Sequence, residues 1–341
     1  KKHIEGGERM SDRDWSAYAK STYQWEPGHK LHLRMTKSSL TSDFDYCPKS
    51  YEYKRIHRLP EPSTDDMTRG TNVHDAIEQY YINLAPLIQK AAAALPEKPA
   101  KAMAILQEAL PVPDEPYTLG EEPIIQKRLD WDLARLQSDG VKNFLPIINE
   151  LEVHAYAEET IEFNGEEITI PIHYAGSIDR GFRTDEDTIA IMELKTGKFV
   201  QKLKKDKWET DRYKVQSMRT EMAFYKYLLE KANHNLQDVT HWGWVYPAGS
   251  TKVLDKLDKY GYEQRSIDNI TYESCLGRNG NTYKKKIIRM RDALLTAYLT
   301  SNFPPKASVG KCAWCSFKSI CPEWGGSDNP QEYLENYEEE K

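Results

Sequence analysis

Apolar and polar positions alternate most clearly between Glu166 and Lys195. Ile170-Pro171-Ile172-His173-Tyr174-Ala175-Gly176 has the period of two that a half-buried strand requires, and Asp179 falls just past its apolar part. Arg183 to Asp187 is a charged turn, and Thr188-Ile189-Ala190-Ile191-Met192 is a β-branched, apolar run suited to a buried strand. In Glu193-Leu194-Lys195 the alternation resumes, so Glu193 and Lys195 share one face and Leu194 takes the other. The predicted hairpin brings Asp179, Glu193 and Lys195 to one surface. Leu151 to Ile161 and Glu166 to Tyr174 read as strands leading into it, with Glu158 and Glu159 as further carboxylates near the site.

Other stretches have helical spacing. Thr36 to Lys54 places Phe44, Cys47, Tyr51 and Lys54 on one face, and Ser38, Ser39, Thr41 and Ser42 offer caps. Met67 to Leu84 carries a buried stripe of Val73, Ile77 and Tyr80 or Tyr81, with His74 one turn in. Gln89 to Leu110 and Gln126 to Glu150 make residues 85–150 a helical insertion. Val215 to Lys231 is an amphipathic helix, Thr240 to Pro247 a strand, and Tyr283 to Ser301 a helix with a basic face. Residues 1–35 read as a polar lead-in and residues 326–341 as an acidic, fraying tail.

Composition narrows the class. At 341 residues, 39% hydrophobic and 29% charged, the chain can bury one large core or two smaller ones. No apolar run approaches the ~20 residues of a membrane helix, and the N-terminal stretch lacks a signal-peptide pattern, so an intracellular protein is expected. The net charge of −6 confines any nucleic-acid site to a local basic patch. The Lys-rich stretch after Lys198, with Trp208 and Tyr213 interleaved, is one candidate.

Two carboxylates converging at Asp179 and Glu193 would repel without a cation, and oxygen ligands suit Mg²⁺ or Mn²⁺. Such an ion activates water and stabilises charge on a phosphate, while an adjacent lysine can orient or deprotonate that water. Neutral imidazole makes His74 a compatible further ligand. Of five cysteines, Cys312 and Cys315 form a C-x2-C pair, Cys321-Pro322 follows, and Cys47-Pro48 lies far upstream. Without secretion signals these read as metal ligands, for Zn²⁺ or an iron–sulfur cluster, and Cys275 as a buried thiol. No G-x4-G-K-[ST] phosphate loop is present, so any helicase would be a separate partner.

In this order, Cys47, His74, Asp179 within GSIDR, Glu193-Leu194-Lys195 within ELKTG, a Tyr-bearing helix and Cys312-x2-Cys315-x5-Cys321-Pro322 resemble the PD-(D/E)xK superfamily. Over roughly residues 36–325 they resemble its RecB-like exonucleases with a four-cysteine cluster, including the CRISPR-associated ones and the AddB nuclease domain. The resemblance implies an α/β fold, a restriction-endonuclease-like mixed sheet flanked by helices. It also implies a cap, residues 302–325, that Cys47 joins around a [4Fe–4S] cluster. It makes His74, Asp179, Glu193 and the Leu194 carbonyl metal ligands and Lys195 the catalytic lysine. The implied activity is metal-dependent DNA hydrolysis, as an exonuclease on single-stranded ends, serving recombination, repair or CRISPR adaptation beside partner proteins. The family's Gln-x3-Tyr departs here: Glu221 precedes Tyr225 by four, and Gln216 lies further upstream. The remaining alternatives are a non-catalytic DNA-end adaptor of the same fold and a zinc-stapled structural protein.

Overall fold

The computed structural model describes residues 22–23, 32–95, 97–197, 201–204, 207–210, 212–236, 238–247, 263–265 and 270–339. The chain is built on a long strand, β4 (Glu166–Arg183), in a mixed sheet that also holds β1 (Thr22–Tyr23), β2 (His32–Thr36), β3 (Ile148–Phe163), β5 (Ile189–Leu194), β8 (Val239–Val245), β9 (Glu263–Arg265) and β10 (Ile270–Ser274). The order is β1-β2-β4-β5-β8-β10-β9, with β3 also on β4, while β6 (Gln201–Lys204) and β7 (Lys207–Thr210) pair separately.

The register of β4 creates a gap. Along one edge β3 pairs antiparallel from Phe163↔Glu166 to Ile148↔Gly181. On the other edge β2 pairs parallel at Ile172 to Ala175, and β5 pairs antiparallel at Arg180 to Arg183. The C-terminal ends of β2 and β5 therefore run towards each other and stop short of meeting, and residues 176–179 of β4 lie between them. Unpaired strand ends at such a junction make a natural place for a ligand.

Helices cover both faces. On one side α6 (Arg212–Lys231) and α7 (Gly277–Thr300) pack Met222, Phe224, Leu228, Leu294 and Tyr298 against Ile172, Tyr174, Ile191 and Trp242. On the other, α2 (Asp65–Leu84), α3 (Ile88–Ala94), α4 (Pro99–Glu108) and α5 (Glu121–Asp139) bury Val73, Ile77, Tyr80, Leu106 and Leu129 with Phe182, Met192, Leu194 and Val245 of the sheet. A third cluster joins Tyr53 and Leu59 to Phe317, Ile320 and Tyr333. This is the mixed sheet flanked by helices that the sequence predicts.

Local differences have physical causes. His32–Thr36, which spans the end of the expected lead-in and the first residue of the expected helix, is β2, whose Leu33 and Met35 are buried. The rest of residues 1–31 lies outside the described residues apart from β1. The expected helix from Thr36 to Lys54 is interrupted: wide π-type turns over Ser38–Phe44 and Glu52–Ile56 flank α1 (Pro48–Tyr51), because Pro48 forces Cys47 to an extended backbone. The helix expected to reach Glu150 ends as α5 at Gly140, which adopts positive φ, and Glu150 belongs to β3. The tail, expected to fray, forms α8 (Pro330–Glu339), held by Tyr333 against Phe317. No described helix is long and apolar enough to cross a membrane.

Candidate active site

The gap in the sheet collects charged side chains from five elements. Asp179 comes from β4, Glu193 and the Leu194 backbone from the end of β5, and Lys195 from the residue after it. His74 comes from α2, Glu221 and Tyr225 from α6, and Lys37 from the residue after β2. Asp179 and Glu193 are buried. Close approach of α6 depends on Gly176, where a Cβ would sit 3.3 Å from Leu228 and 3.5 Å from Tyr225.

The contacts are dense. Asp179 Oδ2 accepts the Leu194 backbone N–H at 2.8 Å. Glu193 Oε1 accepts from Lys195 Nζ at 2.7 Å and from Lys37 Nζ at 2.6 Å. Lys195 also donates to Glu221 Oε2 at 3.2 Å, and Lys37 lies 4.9 Å over the Tyr225 ring. His74 Nδ1 is 3.1 Å from Glu150 Oε1, and its Nε2 is 3.1 Å from the Leu194 carbonyl oxygen.

Electrostatics divides the two central carboxyls. Burial and the Glu193 charge push Asp179 up to about 7. Burial would also raise Glu193, but the Lys195 and Lys37 charges outweigh it and hold Glu193 far below the usual carboxylate range. Burial would lower Lys195 and Lys37, but the Glu193 charge raises both, so they stay cationic. His74 is raised: the Glu150 hydrogen bond and the Asp179 charge outweigh burial.

A divalent cation fits this chemistry. Glu193 Oε2 is buried with no hydrogen-bond partner among the described residues, so one of its oxygens is left open to a ligand while Lys195 and Lys37 bind the other. Among the described residues, one trio of ligand atoms lies within 4.8 Å: His74, Glu150 and Asp179. Of the expected ligands, His74, Asp179, Glu193 and the Leu194 carbonyl all reach the gap; Glu150 and Lys37 are additions.

Other expected residues lie elsewhere. Gln216 is exposed at the start of α6, five residues before Glu221 and so rotated onto another helix face. Tyr225 is one turn beyond Glu221 and buried. Glu159 joins a separate cluster with Tyr174, Lys231 and Arg291, not this site. The side chains of the Lys-rich stretch to Lys214, Trp208 and Tyr213 included, lie outside the described residues. Glu150 carried no sequence signal beyond its charge; Lys37 could have been sought as the basic residue closing a strand, had β2 been seen.

The four cysteines Cys47, Cys312, Cys315 and Cys321 border one cavity with Tyr53, Phe317 and Trp324. No disulfide joins them. Burial raises Cys315 and Cys321, and each is raised further by the facing cysteines. Cys275 is buried and donates to the Val239 carbonyl.

Comparison with known families agrees with this site. The sequence profile of the PD-(D/E)XK nuclease superfamily matches residues 37–322, and the chain belongs to that superfamily. Its members are nucleases that generally use Mg²⁺ or Mn²⁺. No curated protein matches the chain. Among solved structures, one titled "Crystal structure of SSO0001" is similar over 86% of this chain and 88% of its own, at 14% identity and a TM-score of 0.34, too loose a likeness to carry an argument.

Proposed function

We propose that this chain is a metal-dependent deoxyribonuclease of the RecB-like type, acting as an exonuclease on single-stranded DNA ends and stapled by a [4Fe–4S] cluster. The observation that carries the catalytic part is the buried, unpartnered Oε2 of Glu193 beside Asp179, whose carboxyl is pushed up to about 7. A buried carboxyl whose charged form is disfavoured, beside a carboxylate oxygen left without a hydrogen bond, suits a cation.

His74, Asp179, Glu193 and the Leu194 carbonyl would hold Mg²⁺ or Mn²⁺, which when bound activates water and offsets charge on the phosphate. The remaining roles belong to the chain. Lys195, kept protonated by Glu193, orients water and faces phosphate charge rather than removing a proton. Glu221 fixes the Lys195 ammonium by its 3.2 Å hydrogen bond, the positioning task for which Gln216 is too far round the helix. Tyr225 packs beneath Lys37 and shields the site from water.

One feature supports the cluster. Cys47, Cys312, Cys315 and Cys321 meet at one cavity although Cys47 is far from the others in sequence. Single-strand binding is supported by Trp314, which is 88% exposed between Cys312 and Cys315 with Lys311 and Lys318 close in sequence, because indole stacks on any base. Service in recombination, repair or CRISPR adaptation beside a helicase or adaptation proteins is part of the same proposal.

The test is digestion of end-labelled single-stranded DNA with Mn²⁺ or Mg²⁺ by anaerobically purified protein, beside Lys195→Ala. The parent should shorten the strand from an end and the variant should not. An inert parent that still binds DNA would point to an adaptor. Brown protein that bleaches in Cys47→Ser supports the cluster; a colourless protein with stoichiometric zinc sinks it.

A further inference from the structure

Glu150 is opposite Asp179 at the one place where the β3–β4 ladder opens. Asn149 pairs with Arg180 and Leu151 with Ile178, but the residues between them, Glu150 and Asp179, do not pair. Glu150 has φ 52°, the left-handed region that a residue with a Cβ enters at a cost. That backbone kink turns its carboxylate towards His74 instead of along the sheet. Oε1 lies 3.1 Å from His74 Nδ1 and accepts from Arg180 at 2.8 Å, and Oε2 accepts from Ser177 at 3.3 Å.

We propose that Glu150 is the positioning residue of this site: it holds the His74 ring so that Nε2 faces the cation. The inference rests on the metal-nuclease reading above. A carboxylate already accepting from Arg180 can only accept again, so the proton between the two residues sits on His74 Nδ1. In the neutral ring Nε2 then carries a lone pair. Nε2 faces another lone-pair atom, the Leu194 carbonyl oxygen, 3.1 Å away. Only when the ring is doubly protonated does Nε2–H donate to that carbonyl. Two ligand atoms bound to one cation at right angles, each about 2.1 Å from it, stand ~3.0 Å apart. The ring and the carbonyl are thus already spaced as adjacent ligands. Arg180 fixes Glu150 in turn, since its Nη1 also donates to the Asp179 carbonyl. Carboxylate, histidine and metal would form the relay in which an outer group sets a ligand's tautomer and orientation.

The alternative is that Glu150 binds the cation directly, as its place in the 4.8 Å trio would allow. Three variants separate these roles: Glu150→Ala, Glu150→Gln and Glu150→Gly. The first readout is the Mn²⁺ affinity of full-length protein, from spin resonance of free Mn²⁺. The second is the His74 tautomer in metal-free protein, from ¹⁵N–¹H correlations of the ring. Glu150→Ala should weaken Mn²⁺ binding by about 10- to 100-fold and move the neutral ring's proton off Nδ1. Glu150→Gln, whose amide oxygen still accepts from Nδ1–H, should retain most of the affinity and the Nδ1–H tautomer. Glu150→Gly relieves the backbone strain but lacks the carboxylate; it should bind Mn²⁺ as poorly as Glu150→Ala. Equal losses in Glu150→Gln and Glu150→Ala with the tautomer unchanged would make Glu150 a ligand and overturn the positioning role. Parent-like affinity in Glu150→Ala would leave only a structural role and overturn it too. A parent that binds no Mn²⁺ would overturn the metal-nuclease reading and this inference together.

Discussion

The strand pair β3–β4 supports two buried carboxylate clusters, and they are built oppositely. Around Glu159 every demand is met: Oε1 accepts from Tyr174 at 2.8 Å and from Lys231 at 2.6 Å, and Oε2 faces Arg291. Burial would raise that carboxyl, but the Lys231 and Tyr174 hydrogen bonds and the Arg291 charge outweigh burial and lower it. Around Asp179 the demands are left open. Burial and Glu193 raise Asp179, and Glu193 Oε2 has no partner. Burial of charge alone therefore does not mark a site. What marks it is a buried carboxyl whose charged form burial and a like-charged neighbour disfavour, beside a carboxylate oxygen left without a hydrogen bond.

Breaking the comparison at its catalytic end should have the largest effect. Lys195→Ala should lower the DNA cleavage rate by about 10²-fold or more, as loss of a positioned charge at a reacting phosphate does. Glu159→Gln should leave cleavage by the folded enzyme within a few-fold. Its effect should appear in denaturant unfolding instead, as a loss of about 3 kcal/mol, because Arg291 and Lys231 lose their counter-charge.

The opposite sign is expected for Asp179→Asn. In metal-free protein at pH 8 it should raise stability, on the order of 2 kcal/mol, by removing a like charge buried beside Glu193. A destabilised Asp179→Asn protein would show that the two clusters are electrostatically alike.

The pH dependence sharpens the contrast. Asp179 is raised from 3.8 to about 7, so between those values the folded state holds a proton that the unfolded state releases. Its stabilising contribution is whole below pH 3.8 and lost as pH rises to about 7. Glu159 is lowered, so its contribution is present above its unfolded value of 4.5 and lost as pH falls below that. Subtracting the stability–pH curve of Asp179→Asn from the parent's should give a downward slope with pH; the same subtraction with Glu159→Gln should give an upward slope on the acid side. Mn²⁺ should flatten the first curve and not the second. The smallest effect is expected from Gln216→Ala, within twofold of parent in cleavage, whereas Glu221→Ala, which leaves the Lys195 ammonium held by Glu193 alone, should cost about tenfold.

The helical elements and the hairpin of Asp179, Glu193 and Lys195 were legible because both rest on period: 3.6 for α2 and α6, two for β4 and β5. The ordered cysteines and the His74, Asp179 and Glu193-Leu194-Lys195 motifs could be picked out by residue type and order, and the structure brings each set together. β2 was not, because five residues between polar neighbours give too short a run to show alternation. Lys37 was hidden with it.

Residue type and local period in the sequence determined which side chains could bear chemistry and which elements would carry them. Only the tertiary structure decided which of them meet. The head-on approach of β2 and β5 along β4 places Lys37 beside Glu193, and the unpaired step at Asp179 brings Glu150 to His74. The same folding sends Glu159, nine residues beyond Glu150, to Arg291 on α7. Register and a single kink in a ladder are long-range properties: they follow from how one strand shares its edge with two others, and no local window of sequence contains that information.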